Sequence, residues 1–240
     1  MHHLAFQEAR KADTSTAYES FINAFPGATE IYEARTRMQG AVYAEATAAK
    51  DLPSYLAFIR SHPENPHVRV AEDEVYRLST PQRTIEEYRK FIEANPENHR
   101  VPDAWRAIYD SYSKDLSVGT ITRFIAAYPE YPFMEELVDD YKTASLELLP
   151  FRREGKWGFI DTEGTEHIKA EYEWVEPFKG GQALVSRDGR VGTINRTGKV
   201  VVAIEYDDVH ETSDGTSTVE RENRVGAVDR TGEVVVPMVY

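Results

Sequence analysis

Residues in the last third of this chain recur at a fixed interval. Gly158, Gly192 and Gly226 stand 34 apart, as do Gly164, Gly198 and Gly232, and also Tyr172, Tyr206 and Tyr240. The same interval relates Ile160, Ile194 and Val228, and Asp161, Asn195 and Asp229. Arg153, Arg187 and Arg221 keep it too, each followed by an acid: Glu154, Asp188 and Glu222. Six residue classes sharing one interval mean tandem copies of one small unit. Such a unit cannot bury a core alone and gains stability by stacking on its neighbours. The recurrent residues are therefore read first as architecture.

One copy shows the local physics. Ala183 to Arg187 reads as a strand, Asp188-Gly189 as a two-residue loop suited to a type I′ turn, and Arg190 to Asn195 as the returning strand. Asn195 opens a second turn, where its side chain can bond the backbone and Gly198 can take positive φ, and Val200 to Ile204 forms the third strand. Glu154-Gly155 and Glu222-Asn223 fill the tight loop in the other copies. Gly158, Gly192 and Gly226 share a face with Ile160, Ile194 and Val228, and a missing side chain there makes room for an adjacent backbone or ring.

The earlier part of the chain repeats differently. Tyr18, Phe21, Ile22 and Pro26 are matched by Tyr55, Phe58, Ile59 and Pro63, by Tyr88, Phe91, Ile92 and Pro96, and by Ile121, Phe124, Ile125 and Pro129. Apolar residues at i, i+3 and i+4 make one helical stripe, and proline ends the helix. A second helix follows each proline, carrying Ile31, Ala34, Met38; Val68, Ala71, Val75; Val101, Ala104, Ile108; and Met134, Leu137, Tyr141. Small alanines at the middle position let neighbouring helices approach closely. Composition agrees: 20 of the 24 alanines precede residue 148, and 11 of the 14 glycines follow it.

Charge and composition exclude several classes. With 28 basic and 41 acidic residues the net charge is −13, and no segregated basic patch offsets it, so nucleic acid is not expected as a partner. The absence of cysteine removes disulfides, thiolate metal sites and thiol nucleophiles. The longest aliphatic run, Val200 to Ile204, is far short of a membrane span.

Two resemblances follow from these motifs. Residues 4 to 147 are similar to the tetratricopeptide family of helical repeats in period and terminal proline, and most of all to the divergent Tyr-x-x-Phe-Ile-x-x-Tyr-Pro repeat of bacterial envelope proteins. The large Phe21, Phe58, Phe91 and Phe124 depart from its consensus, as does the lack of the Trp, Leu-Gly and Tyr positions of the first helix. Ala5, Phe6 and Ala9 read as the end of a first helix, so an upstream segment is expected. The segment Lys156 to Asp161, with the recurring Gly, Asp and Tyr, resembles the WG-repeat (KWG) family over residues 148 to 240, although only the first copy keeps Trp157, the others carrying Val191 and Val225. That resemblance implies a bacterial protein, in the periplasm or cell envelope or otherwise cytoplasmic, without an assigned activity.

The expected fold is thus α+β in two domains. Residues 1–147 form an α-solenoid of tetratricopeptide-like helical hairpins, and residues 148–240 an all-β array of three antiparallel meanders, stacked openly or set as propeller-like blades. An open array leaves a strand edge at Val234 to Met238.

Each candidate site in the sequence also has a structural role open to it. Gly192 to Val200 has the wrong glycine spacing for a phosphate loop and no Ser or Thr for magnesium, and reads as a turn. Asp161, Asn195 and Asp229 lack the dense oxygen ligands of a calcium loop and read as turn caps. The histidines show no metal spacing, and no nucleophile elbow occurs. No cofactor, metal or catalytic residue is expected. The basic positions Arg187, Arg190, Arg221 and Arg224, with Arg153 and Lys156, form either a row of anion donors or cross-strand pairs with Glu154, Asp188 and Glu222. Trp157, Tyr172, Trp174, Phe178 and Tyr206 form either an aromatic platform for sugars or peptide side chains, or inter-repeat core. The expected function is a non-enzymatic scaffold for protein partners; the alternative is a module binding carbohydrate or peptidoglycan through those rings.

Overall fold

The computed structural model describes residues 1–211 and 216–239; Tyr240, third of the recurrent tyrosines, lies outside the described residues. Among the described residues nine helices precede eleven strands. The helices are α1 (His2–Ala12), α2 (Ser15–Ala24), α3 (Ile31–Ala46), α4 (Leu52–Ser61), α5 (Val68–Ser79), α6 (Ile85–Ala94), α7 (Val101–Tyr112), α8 (Val118–Ala127) and α9 (Glu136–Ala144). Secondary structure changes type between Ala144 and Leu149. The compact units divide elsewhere, into Met1–Trp105 and Arg106–Tyr240, because α8 and α9 pack in one unit with the β-strands.

Matched helical positions adopt matched conformations. The residue before each repeat proline, Phe25, His62, Asn95 or Tyr128, has φ between −133° and −136° and ψ between 54° and 64°. Proline's ring disfavours the α region for the residue before it, so these helices stop at one place. Each helix also starts alike: Thr14, Asp51, Thr84 and Ser117 accept the backbone N–H three residues on. Phe21, Phe58, Phe91 and Phe124 are buried, as are Ala34, Ala71 and Ala104, with Phe21 and Ala34 in one cluster. Two buried asparagines add a polar tie absent from the sequence reading. Asn65 Nδ2 donates to the Gln39 carbonyl oxygen and Asn98 Nδ2 to that of Glu72, each reaching back to the preceding hairpin.

The strands form three antiparallel sheets. The first holds β1 (Leu149–Arg153), β2 (Lys156–Ile160) and β3 (Glu166–Tyr172). The second holds β4 (Trp174–Val175), β5 (Gln182–Arg187), β6 (Arg190–Asn195) and β7 (Val200–Tyr206), in that order. The third holds β8 (Asp208–Glu211), β9 (Thr216–Arg221), β10 (Arg224–Asp229) and β11 (Val234–Val236). The reading of three strands per meander needs one correction: β4 and β8 are additional short strands, too brief to show alternation. One residue, Glu173 or Asp207, separates the end of one sheet from the start of the next.

Successive sheets share a core. Phe159, Ile168 and Tyr172 of the first meet Ala183, Val185 and Ile194 of the second. Val191, Val202 and Tyr206 of the second meet Val209, Val219 and Val228 of the third. The middle sheet is therefore buried on both faces, as stacked repeats require.

Candidate functional site

The β-region presents three surfaces: the tight loops, the second turns and the outer face of the third sheet. In the tight loops Glu154, Asp188 and Glu222 have φ of 51°, 53° and 56°, followed by Gly155, Gly189 and Asn223 at 84°, 70° and 61°. Two successive positive φ values define the type I′ turn, whose twist matches the flanking strands. The turn sets two cations directly opposite, Arg187 against Arg190 and Arg221 against Arg224, which is unfavourable unless acids intervene.

Those acids come from the strand ends on either side: Glu171 and Glu205 precede their arginines in the chain, and Asp207 follows its own. Arg187 pairs with Glu171, Arg190 with Asp207, and Arg221 with Glu205 at 3.3 Å. Glu154, Asp188 and Glu222, the expected cross-strand partners, instead occupy the loop itself, so that pairing is corrected. Arg224 has no ion pair among the described residues. The corner acids also hold the next hairpin: Glu173 accepts the Gly189 N–H at 3.0 Å, and Asp207 accepts that of Glu222 at 2.6 Å. The Gly189 bond, above all, holds the Glu173 carboxyl below its usual range.

The aromatic candidates occupy different environments. Tyr172 and Tyr206 are 2% and 4% exposed in the two inter-sheet cores. Phe178 lies against Phe159 with centroids 4.7 Å apart, and Trp157 is half-buried opposite Tyr172 in the strand register. Trp174 is the most exposed of the five.

The second turns are side-chain capped. Asp161 Oδ1 accepts the N–H groups of Glu163 and Thr165, Asn195 Oδ1 those of Thr197 and Lys199, and Asp229 Oδ1 those of Thr231 and Glu233. Asn195 is buried and donates from Nδ2 to the Lys114 carbonyl oxygen. In the last two periods the residue after the cap reaches the end of the helical segment: Arg196 Nε donates to the Leu146 carbonyl oxygen just beyond α9, and Arg230 pairs with buried Asp115 just before α8. Sequence reasoning passed over these two arginines. The signal was present in the parallel Asn195-Arg196-Thr197-Gly198 and Asp229-Arg230-Thr231-Gly232, where the first period has Thr162.

The third surface is apolar. Val191 and Val202 are 6% and 1% exposed beneath the third sheet, whereas Val225 and Val236, one period later, are 44% and 45% exposed. Val234, Val235 and Val239 extend that exposure.

Antiparallel meanders that stack sheet upon sheet, trade ion pairs across the period and turn on capped Asx residues define a tandem β-repeat protein. The sequence pattern described as WG containing repeat matches residues 157–190 and 192–224. Residues 157–224 therefore consist of WG repeats, even though Val191 and Val225 replace the tryptophan of the first copy. No curated protein matches the chain. Among the described residues no helix is long and apolar enough to cross a membrane.

Proposed function

We propose that this repeat protein is a non-enzymatic scaffold whose third sheet docks a β-structured protein partner. One observation carries the reading: Val225 and Val236 are open to solvent at positions that the same repeat buries one period earlier. The partner must supply what the third sheet supplies to the second, a row of branched aliphatic side chains like Val209, Val219 and Val228. Removing such a face from water is favourable at about 25 cal/mol per Å². The glycan alternative draws less support, since Tyr172 and Tyr206 are committed to cores and Trp174 is the principal accessible ring among its candidates. The proposal extends to the bacterial periplasm or cell envelope, supported by the resemblance of the helical signature to envelope repeats.

The test is in-cell cross-linking of the full chain beside Val225→Glu/Val236→Glu, with circular dichroism confirming an intact fold. The scaffold reading expects cross-links concentrated on β10 and β11 and lost in the double variant. An unchanged cross-link pattern in a folded double variant would remove the third sheet from the proposal.

A further inference from the structure

We propose that the pocket where the second turns of the last two β-repeats meet the start of α8 binds a phosphate-type oxyanion, gripped by Arg123, Arg196 and Arg230. The pocket holds about 380 Å³ and is also lined by Ser117, Val118, Gly119, Gly180 and Gly181. It draws on no residue of the docking face and stands independently of the scaffold reading.

The charge balance argues first. Arg230 has a carboxylate partner, Asp115, at 2.8 Å. Arg123 and Arg196 have none among the described residues: Arg123 donates to Thr120 Oγ1 at 3.0 Å, and Arg196 Nε donates to the Leu146 carbonyl oxygen at 3.1 Å. Three guanidiniums against one carboxylate leave two formal positive charges, in a chain whose net charge is −13. Arg153, Arg187, Arg190 and Arg221 elsewhere in the β-array each face an acid, whereas Arg123 and Arg196 stand together in one pocket without one.

Desolvation argues second. Arg196 lies over the Phe178 ring, its guanidinium carbon 5.1 Å from the centroid, and burial alone lowers its pKa from the usual arginine range. A desolvated cation without a counter-charge is costly, and a bound anion relieves that cost. Arg230 Nε and, across its ion pair, Asp115 Oδ1 are both buried without a hydrogen-bond partner. Guanidiniums present planar forks that match phosphate oxygens, and several of them satisfy a tetrahedral dianion better than a planar carboxylate.

Placement is set by the repeat. Arg196 and Arg230 occupy one turn position in consecutive periods, so stacking the sheets sets both against the helical segment. Close packing fixes the other wall: a Cβ on Gly181 would lie 2.7 Å from the Asp115 carbonyl oxygen. Asp115 orders that wall by accepting from Ser117 Oγ, Thr120 Oγ1 and Arg230. The positive end of α8 adds to the same potential.

Equilibrium dialysis of the full chain against labelled inorganic phosphate, at fixed ionic strength set with chloride, reads the site directly. The expected result is saturable binding of one phosphate, competed by a small phosphate monoester such as glycerol phosphate and not by acetate. Arg196→Gln and Arg123→Gln should each weaken it about tenfold or more, the scale of one charge-assisted hydrogen bond, while Arg224→Gln leaves it unchanged. Should Arg196→Gln fail to fold, Arg123→Gln and Arg196→Lys carry the test, both expected to bind more weakly than wild type. Competition by phosphate but not by the monoester would confine the site to the free ion. Binding no greater than that of chloride, or wild-type affinity in a folded Arg123→Gln, overturns the proposal.

Discussion

A hydrogen atom in place of a methyl group decides where the third strand of each meander can run. A Cβ on Gly158 would lie 2.4 Å from the Ile168 carbonyl oxygen, and one on Gly192 would lie 2.6 Å from those of Val202 and Ala203. The strand register shifts at both places, between Trp157 and Phe159 and between Val191 and Thr193, so the partner strand bulges onto the glycine. Backbone cannot retreat as a flexible side chain can, so Gly158→Ala and Gly192→Ala are each expected to cost about 2–3 kcal/mol. Gly27, with nothing within 4 Å of its added Cβ, should tolerate alanine within about 0.5 kcal/mol. Urea denaturation followed by circular dichroism checks the contrast; equal costs would contradict it. Buried tyrosines supply a pH prediction at the same scale. Burial first, then neighbouring Tyr88, pushes Tyr76 up to about 12, and burial pushes Tyr131 up to about 12. Tyr109 moves in the same direction through burial and its bond to Asp140. An unfolded tyrosine ionises near pH ~10, so above that point the unfolded chain releases protons the folded one keeps. Stability is therefore complete below pH ~10 and falls as pH rises toward 12. Urea midpoints measured from pH 8 to 12 should decline over that window; a flat profile would contradict it.

Helix starts carry an energy that can be measured one element at a time. Thr84 caps α6 through the Glu87 N–H at 3.2 Å, while the Glu87 carboxylate returns to the Thr84 and Gln82 N–H groups. Thr84→Ala removes one half of that reciprocal arrangement and should cost about 1 kcal/mol, seen as a lower urea midpoint at 222 nm. An unchanged midpoint would mean that α6 is held by its apolar face alone. Elements of this size were largely legible in the sequence. The Tyr-x-x-Phe-Ile stripes and their prolines marked one helix of each hairpin because period and terminator coincide, and Asp188-Gly189 marked a type I′ turn because it needs two positive φ values. What escaped were features without local periodicity. The two-residue β4 alternates with nothing, Asn65 and Asn98 act through carbonyl groups 26 residues earlier, and Arg187 finds Glu171 only once the sheets have stacked. Arg196 and Arg230 were visible as a repeated pair, but their meeting with α8 depends on packing between segments some 80 residues apart, as Asn195 and Lys114 show.

At the scale of the whole chain, two kinds of tandem module account for nearly every recurrent residue. Glycines admit a bulged strand, Asx side chains cap turns, tyrosines fill cores and corner acids tie one sheet to the next hairpin. Function is then expected where a recurrent position escapes its recurrent role: at the exposed Val225 and Val236, and at Arg196 and Arg230 beside α8. Stability of such an array is approximately a sum of module and neighbour terms, so a module added in register should stabilise it. The most direct measurement appends one period, a copy of residues 173–206, after Tyr240 and combines urea denaturation with limited proteolysis. Stacking predicts a higher midpoint, a protease-resistant addition and loss of solvent access at Val225 and Val236. An unchanged midpoint with the added segment digested as a free tail would contradict it.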